Sequence, residues 1–248
     1  MRSVRVVALV VAALFLVWSM AFSLGLGSVS IPVTDVIEVV ARRLRLGEFD
    51  VRLVDDQIIW QYRMPRVLGA AAIGAALAIS GAVLQSLTRN DLADPYLLGI
   101  SGGATVGAVT IIVLGVPLAG LVGSAAVTLA AFVGALAALA LVLGLAAGRS
   151  GALNPSRTVL AGVAVGQICA AYTSFLVIVS GDRDAARRVL DWTLGSVAGL
   201  RWGSAGFLAV VAVVATLAIL GFATRLDAFA FGEVAATSLG VDVTHTRW

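Results

Sequence analysis

The sequence has no lysine, so all 17 of its basic side chains are arginine. A phosphate-cradling loop of the GxxxxGK[ST] type needs its lysine, and the chain therefore cannot supply a nucleotide-hydrolysing site of that form. The single cysteine, Cys169, excludes an internal disulfide and a cysteine-based zinc cluster. Lying in an apolar run, it reads as an inert packing residue. The single histidine, His245, leaves no basis for a Ser-His-Asp or Cys-His arrangement. We expect no enzyme, no catalytic residue, no bound metal and no cofactor. Charge is scarce at 12%, about half the usual fraction. The formal charge of +3 is spread along the chain without interleaved aromatics, which points away from nucleic acid and toward lipid headgroups.

What is present is apolar. Hydrophobic residues make up 60% of the chain, and the mean hydropathy is +1.03. One aqueous core cannot hide so much apolar surface. Charge-free runs long enough to cross a bilayer predict an all-α, polytopic transmembrane bundle, a single domain over residues 1–248. Six spans are expected: Val6–Leu26, Val67–Leu87, Leu97–Leu114, Leu118–Ala146, Thr158–Ser180 and Gly203–Thr224. The first is too long for a signal-peptide core. The uncharged stretch Pro95–Gly148 would extend about 80 Å as one helix against a hydrocarbon core of about 30 Å, so it must fold back, and Gly115 and Pro117 mark the turn.

Between the spans, Gly27–Arg66 is a long polar insert. Pro32, Thr34, Asp35 and Glu38 read as a helix start, with Thr34 as a hydroxyl cap and acids near the positive end of the dipole. Val36, Ile37, Val39, Val40 and Leu44 make its apolar face, and a loop is expected after it. Arg149, Ser150, Gly151, Asn154, Pro155 and Arg157 form another loop, Asp182–Arg201 is polar and partly helical, and Trp192 and Trp202 sit near the last span as interfacial tryptophans do. Arginine counts do not fix orientation, because an inside N-terminus places fewer arginines inside than outside.

Gly99, Gly103 and Gly107 recur every fourth residue, as do Gly74, Ala78 and Ala82. Such small-residue faces predict close packing of the second and third spans against other helices. Gln85, Gln167, Thr173 and Ser174 are polar groups within apolar runs; they either bond to neighbouring helices or line an aqueous path. No Asp, Glu or Arg lies inside a span, against the usual signature of a proton- or ion-coupled carrier.

Three stretches carry a resemblance: ALAISGAVLQSLTRNDLADPYLLGISGGA, then LAGVAVGQICAA with the later DWTLGSVAG, and FGEVAATSLGVDV. From about Arg63 onward the chain resembles the ABC-type iron-chelate and vitamin B12 uptake permeases, the FecCD family. The knot Arg89, Asn90, Asp91, Leu92, Ala93, Asp94 and Pro95 is its most specific part; the family usually has proline where Asp91 stands. The resemblance implies a permease in the cytoplasmic membrane, a homodimer or heterodimer with a second permease subunit, having about ten spanning helices per subunit. Separate soluble ATPase subunits would drive it, which fits the missing phosphate loop, and an extracytoplasmic solute-binding protein would deliver cargo. A ferric siderophore is the expected cargo, with cobalamin or haem as alternatives.

The same resemblance implies site residues. Arg89–Pro95 would be the cytoplasmic turn between spans two and three, with Asn90, Asp91 and Asp94 capping the backbone and Pro95 pre-setting the next helical turn. Gly232, Glu233, Ala236, Ser238, Leu239 and Gly240 would form the ATPase-coupling segment, residues 231–243. Arg63 and Arg66 would receive carboxylates of the binding protein, with Arg187 and Arg188 a weaker pair for the same surface. The family continues beyond the coupling segment, so this chain is expected to be either a fragment or a shortened permease, with a non-transporting membrane relic as the remaining alternative.

Overall fold

The computed structural model describes every residue except Met1, Ala119, Arg149, Ser150, Ala152, Thr244, His245, Arg247 and Trp248, and gives only the backbone of Arg2, Arg183 and Glu233. Helices follow in chain order: α1 Arg2–Gly25, α2 Val33–Arg43, α3 Leu53–Thr88, α4 Ile100–Leu114, α5 Ser124–Ala147, α6 Pro155–Ser180, α7 Arg183–Leu194, α8 Trp202–Leu220, α9 Ala223–Ala230 and α10 Glu233–Ser238. Among the described residues there is no strand. Five helices, α1, α3, α5, α6 and α8, are long and apolar enough to cross a membrane, and their outward residues are large and apolar, such as Leu14, Phe132, Phe175 and Phe207. Lipid is the solvent of these surfaces, and the chain is a multi-pass membrane protein.

Three elements depart from the expected spans. The fourth span begins at Ser124 and not at Leu118, since Gly120 and Gly123 turn the chain in the left-handed region before it. The third span is not one helix: Pro95–Leu98 is a 3₁₀ turn and Gly99 is left-handed at φ 70°. Only the 15 residues of α4 remain, about 22 Å of helix against a core of about 30 Å. The second span starts earlier than its charge-free run, because α3 begins at Leu53 within the polar insert. Residues Ile58–Arg63 of α3 form a π turn. Pro65 explains it: proline has no N–H to donate and its ring crowds the carbonyl four residues back, so the wider turn relieves the clash.

The chain divides into two compact units. The first comprises residues 1–76 and 197–216. Its core is Leu24, Ile31, Val36, Val39, Val51 and Ile59. Val36 and Val39 carry the buried face of α2, while Ile37 and Leu44, expected on that face, are exposed. Pro32 is the cap residue of α2, and the Thr34 hydroxyl donates to Asp35 instead of capping the backbone. Trp202, at the start of α8, donates through Nε1 to the Trp60 carbonyl at 2.8 Å, with the two rings 4.9 Å apart. Gly69 leaves the space that Leu200 fills.

The second unit comprises residues 77–196 and 217–248. Here α4 and α5 meet backbone to backbone: a Cβ on Gly107 would lie 2.0 Å from the Ala130 carbonyl oxygen, and one on Gly103 would lie 2.3 Å from that of Gly134. Gly162 of α6 gives way in the same manner to Leu97. Gly99 belongs to the entry turn and not to the helical ladder. Ala138, Val142 and Val165 form the small core beneath these contacts. Gly115 ends α4 at φ 65°, so the fold-back falls where the breakers stand. Asn154 caps α6 by accepting from the backbone of Ser156 and Arg157, and Asp182 caps α7 by accepting from Asp184 at 2.8 Å.

By contrast, Gly74 is exposed and a Cβ there meets nothing within 4 Å. The small face expected to pack on α3 is uncovered at that residue. The two glycine sites therefore differ in sign. Gly107→Ala should destabilise the protein by about 2–3 kcal/mol, since a carbonyl cannot swing away as a side chain can, whereas Gly74→Ala should not lower the thermal midpoint in detergent. Equal losses at both sites would contradict this packing.

The Asp182 carboxyl is held below the usual carboxylate range, first by the Asp184 N–H and then by the Ala185 N–H and Arg188. A depressed folded value means this contribution is present above the ordinary value of 3.8 and is lost as pH falls through the folded one. Acidification below 3.8 should loosen the start of α7, read as faster amide exchange there, and Asp182→Asn should remove that acid-dependent step.

Candidate functional site

Two clusters hold the residues singled out in the sequence. The first lies in the first unit, around the entry of α3. Arg63 is only 9% exposed. Its Nη1 donates to the Leu24 carbonyl at 2.7 Å, its Nη2 donates to the Val29 carbonyl, and Gly27 packs against the guanidinium. Arg63 thus ties the loop after α1 to α3, and its donors face inward. This corrects the expectation of a rim residue: buried carbonyls with no helical partner need a donor, and a fixed fork supplies two.

Arg66 differs. It is half-buried and lines a cavity of about 460 Å³ with Ser23, Ser28, Tyr62 and Arg63. Its Nε is buried with no hydrogen-bond partner among the described residues. Arg66 thus carries a buried donor that no described residue accepts from.

Sequence reasoning missed the acids behind this cluster. Asp55 and Asp56 are both buried. Arg43 donates from Nε to Asp56 at 3.0 Å and also through Nη2, while Arg42 lies 3.6 Å away. Arg52 donates to Asp55 at 2.7 Å. Arg43 also sits over the Trp60 ring at 5.6 Å, and Arg201 over the Tyr62 ring at 4.8 Å. The matched numbers of acids and arginines in residues 27–66 were the available signal; which acid meets which arginine depends on the fold.

The second cluster lies in the second unit and joins the end of α3 to the helix pair α9 and α10. Helix α3 stops at Thr88, and Arg89 takes the left-handed conformation at φ 51°. Asn90 N–H then donates to the Gln85 carbonyl at 3.2 Å, the closure of a helix end that usually has glycine in the left-handed place. An arginine there costs about 1–2 kcal/mol. The Asn90 side chain accepts from Leu92 N–H at 3.0 Å and that of Asp94 from Tyr96 N–H at 2.8 Å. Asp91 contributes its carbonyl, which accepts from Gln85 Nε2 at 3.0 Å. The expected Asp91 cap is therefore replaced by a main-chain contact, and Gln85 ties off the turn after its own helix.

Of the other polar span residues, Thr173 donates to the Cys169 carbonyl in its own helix at 2.9 Å, and Gln167 and Ser174 are exposed. Arg187 is exposed, and Arg188 pairs with Asp182 at 3.3 Å.

Local chemistry explains most of the terminal motif. Gly232, at φ 98°, turns the chain between α9 and α10. Gly240, at φ 82°, ends α10: its N–H donates to the Thr237 carbonyl at 2.9 Å and the Val241 N–H to that of Ala236 at 3.0 Å. This paired closure needs glycine at that position. Ala236 is fully buried and the Ser238 hydroxyl donates back to Val234. Leu239 is 68% exposed, and beside it stand Phe231 at 78% and Val234 at 84%. The last two were not singled out from sequence. The side chain of Glu233 lies outside the described residues, as do Arg149, Ser150 and His245.

Arg63→Ala should lower stability by about 2–3 kcal/mol, because two carbonyls lose a charged donor; an unchanged thermal midpoint in detergent would contradict the tie.

The comparisons with known proteins follow this architecture. The profile of the FecCD transport family matches residues 13–248. The cobalamin import system permease protein BtuC of Halobacterium salinarum is 40% identical over 200 residues, which is 81% of this chain and 52% of that protein. The vitamin B12 import system permease protein BtuC of Vibrio cholerae is 38% identical over 195 residues, 79% of this chain and 57% of that one. The uncharacterized ABC transporter permease protein YvrB of Bacillus subtilis is 32% identical over 250 residues, 100% of this chain and 69% of that protein. A solved structure described as an inward-facing conformation of a metal-chelate type ABC transporter superposes with TM-score 0.77 at 26% identity, covering 95% of this chain and 68% of that one. The chain spans about half the length of the BtuC relatives it matches. Because that profile matches all but the first twelve residues, the chain belongs to the FecCD transport family.

Proposed function

We propose that the chain is the membrane-spanning permease of an ABC importer that moves a metal chelate across the cytoplasmic membrane, and that it catalyses no covalent reaction. The carrying observation is the exposure of three large apolar residues, Phe231, Val234 and Leu239, within and flanking the short helix α10, whose two ends are turned by Gly232 and Gly240. An exposed cluster of large apolar residues on a rigid, glycine-turned element suits docking into a groove of a soluble partner. Separate ATPase subunits are that partner: nucleotide binding and hydrolysis would displace the α9–α10 pair and alternate the access of the path between the two sides. A second permease subunit would complete the path, and Gln167 and Ser174, polar and exposed on α6, would be available to line it.

At the outer face of the membrane, a solute-binding protein would deliver the cargo. Arg66, with its unused Nε at a cavity, is the residue that would meet a carboxylate of that protein, and Arg63 would brace the loop beside it. Charge contacts of this kind orient the encounter and weaken in salt.

Cobalamin is the favoured cargo, because two relatives that share 38–40% identity are named as cobalamin or vitamin B12 permeases. A ferric siderophore is the second reading, in keeping with the metal-chelate description of the structural neighbour. In a strain lacking this gene, restoring it should restore uptake of labelled cobalamin more than of labelled ferric chelate; the reverse order would favour the siderophore. Leu239→Asp should weaken association with the ATPase subunit by roughly 30-fold, the loss typical of a central apolar contact. Unaltered association would remove the coupling role from α10.

A further inference from the structure

We propose that Arg89 is a positioning residue that fixes the turn Arg89–Pro95 to the junction of α9 and α10, so that the turn moves with the coupling helices. This rests on the coupling role proposed for α10. Three observations converge on it. The backbone of Arg89 is left-handed at φ 51°, where glycine would be unstrained, so something other than backbone preference keeps a long side chain there. That side chain reaches across to Gly232: a Cβ on Gly232 would stand 3.2 Å from Arg89 Nη1. Gly232 is itself left-handed at φ 98° and buried, so the contact is one between a guanidinium and bare backbone. The two segments also share a cavity of about 410 Å³, lined by Gln85, Ser86, Arg89, Asp91 and Ala230.

The position suits a cation. Gly232 stands two residues beyond Ala230, the last residue of α9, and the C-terminal end of a helix carries partial negative charge. The turn is stiff in its own right, through the Gln85, Asn90 and Asp94 bonds described above. A stiff turn gripped at its first residue follows the element that grips it. Leu92, 86% exposed at its tip, would then travel with Val234.

The test uses Arg89→Gly, which suits φ 51° and so removes the side chain without straining the fold, and Arg89→Lys, which keeps charge and length. Spin labels at Leu92→Cys and at Asp227→Cys, exposed on α9 and outside the proposed docking residues, in a Cys169→Ser background, report the separation of the two segments by pulsed resonance in the purified full chain. The parent should give one narrow distance. Arg89→Gly should lose it to a broad distribution with no fall in thermal midpoint, and Arg89→Lys should recover it in part. With the ATPase subunit bound, added nucleotide should shift the label at residue 92 in the parent and not in Arg89→Gly. An unchanged narrow distance in Arg89→Gly, with ATPase association intact, would overturn the role of Arg89 alone. Failure of the parent to bind any ATPase subunit would instead overturn the coupling reading and the transmitted motion with it.

Discussion

No water presses these helices together, because their outer surfaces are as apolar as the lipid around them. Association depends instead on backbones approaching closely enough for dispersion to act. In the second unit that approach is set by the missing side chains of Gly103 and Gly107 against Gly134 and Ala130. The remaining features of that unit follow. The entry turn Pro95–Leu98 can lie on Gly162 because it too has no Cβ. The small core of Ala138, Val142 and Val165 needs no large residue, since the helices are already near one another.

In the first unit the constraint is polar. The end of α1 leaves the Leu24 carbonyl without a helical partner, the loop after it presents that of Val29, and Arg63 supplies a donor to each. Asp55 and Asp56 are buried in company with Arg43 and Arg52. Buried charges of this kind hold a geometry more than they add net stability, since removing one partner leaves the other stranded. The arrangement fixes the loops beside the cavity where Arg66 keeps an unused donor. Position is thereby set by Arg63, while Arg66 makes no hydrogen bond through its Nε among the described residues.

Much of the fold was legible. Charge-free runs located the long helices, and Gly115 marked a turn that the structure uses, because such signals act within a few residues; Asn154, Pro155 and Arg157, expected in a loop, instead cap and open α6. The start of α3 was hidden for the opposite reason. Asp55 and Asp56 break the apolar run in sequence, and their partner Arg43 stands 13 residues from Asp56. Gly99 was misplaced because spacing alone cannot tell a helical glycine from a left-handed one. Of the candidate site, the motif residues Gly232 and Gly240 turned out to shape the backbone, whereas the exposure of Phe231 and Val234, which lie within the 231–243 segment, was hidden because their side-chain type matches that of lipid-facing residues.

The central claim is that a soluble motor grips this membrane protein through α9 and α10. Hydrogen exchange on the purified chain in lipid nanodiscs, with and without its ATPase subunit, tests it most directly. The account predicts new protection concentrated in residues 223–243, with lesser protection of residues 89–95. Unchanged exchange throughout that region, or protection confined to residues 27–66, would contradict it.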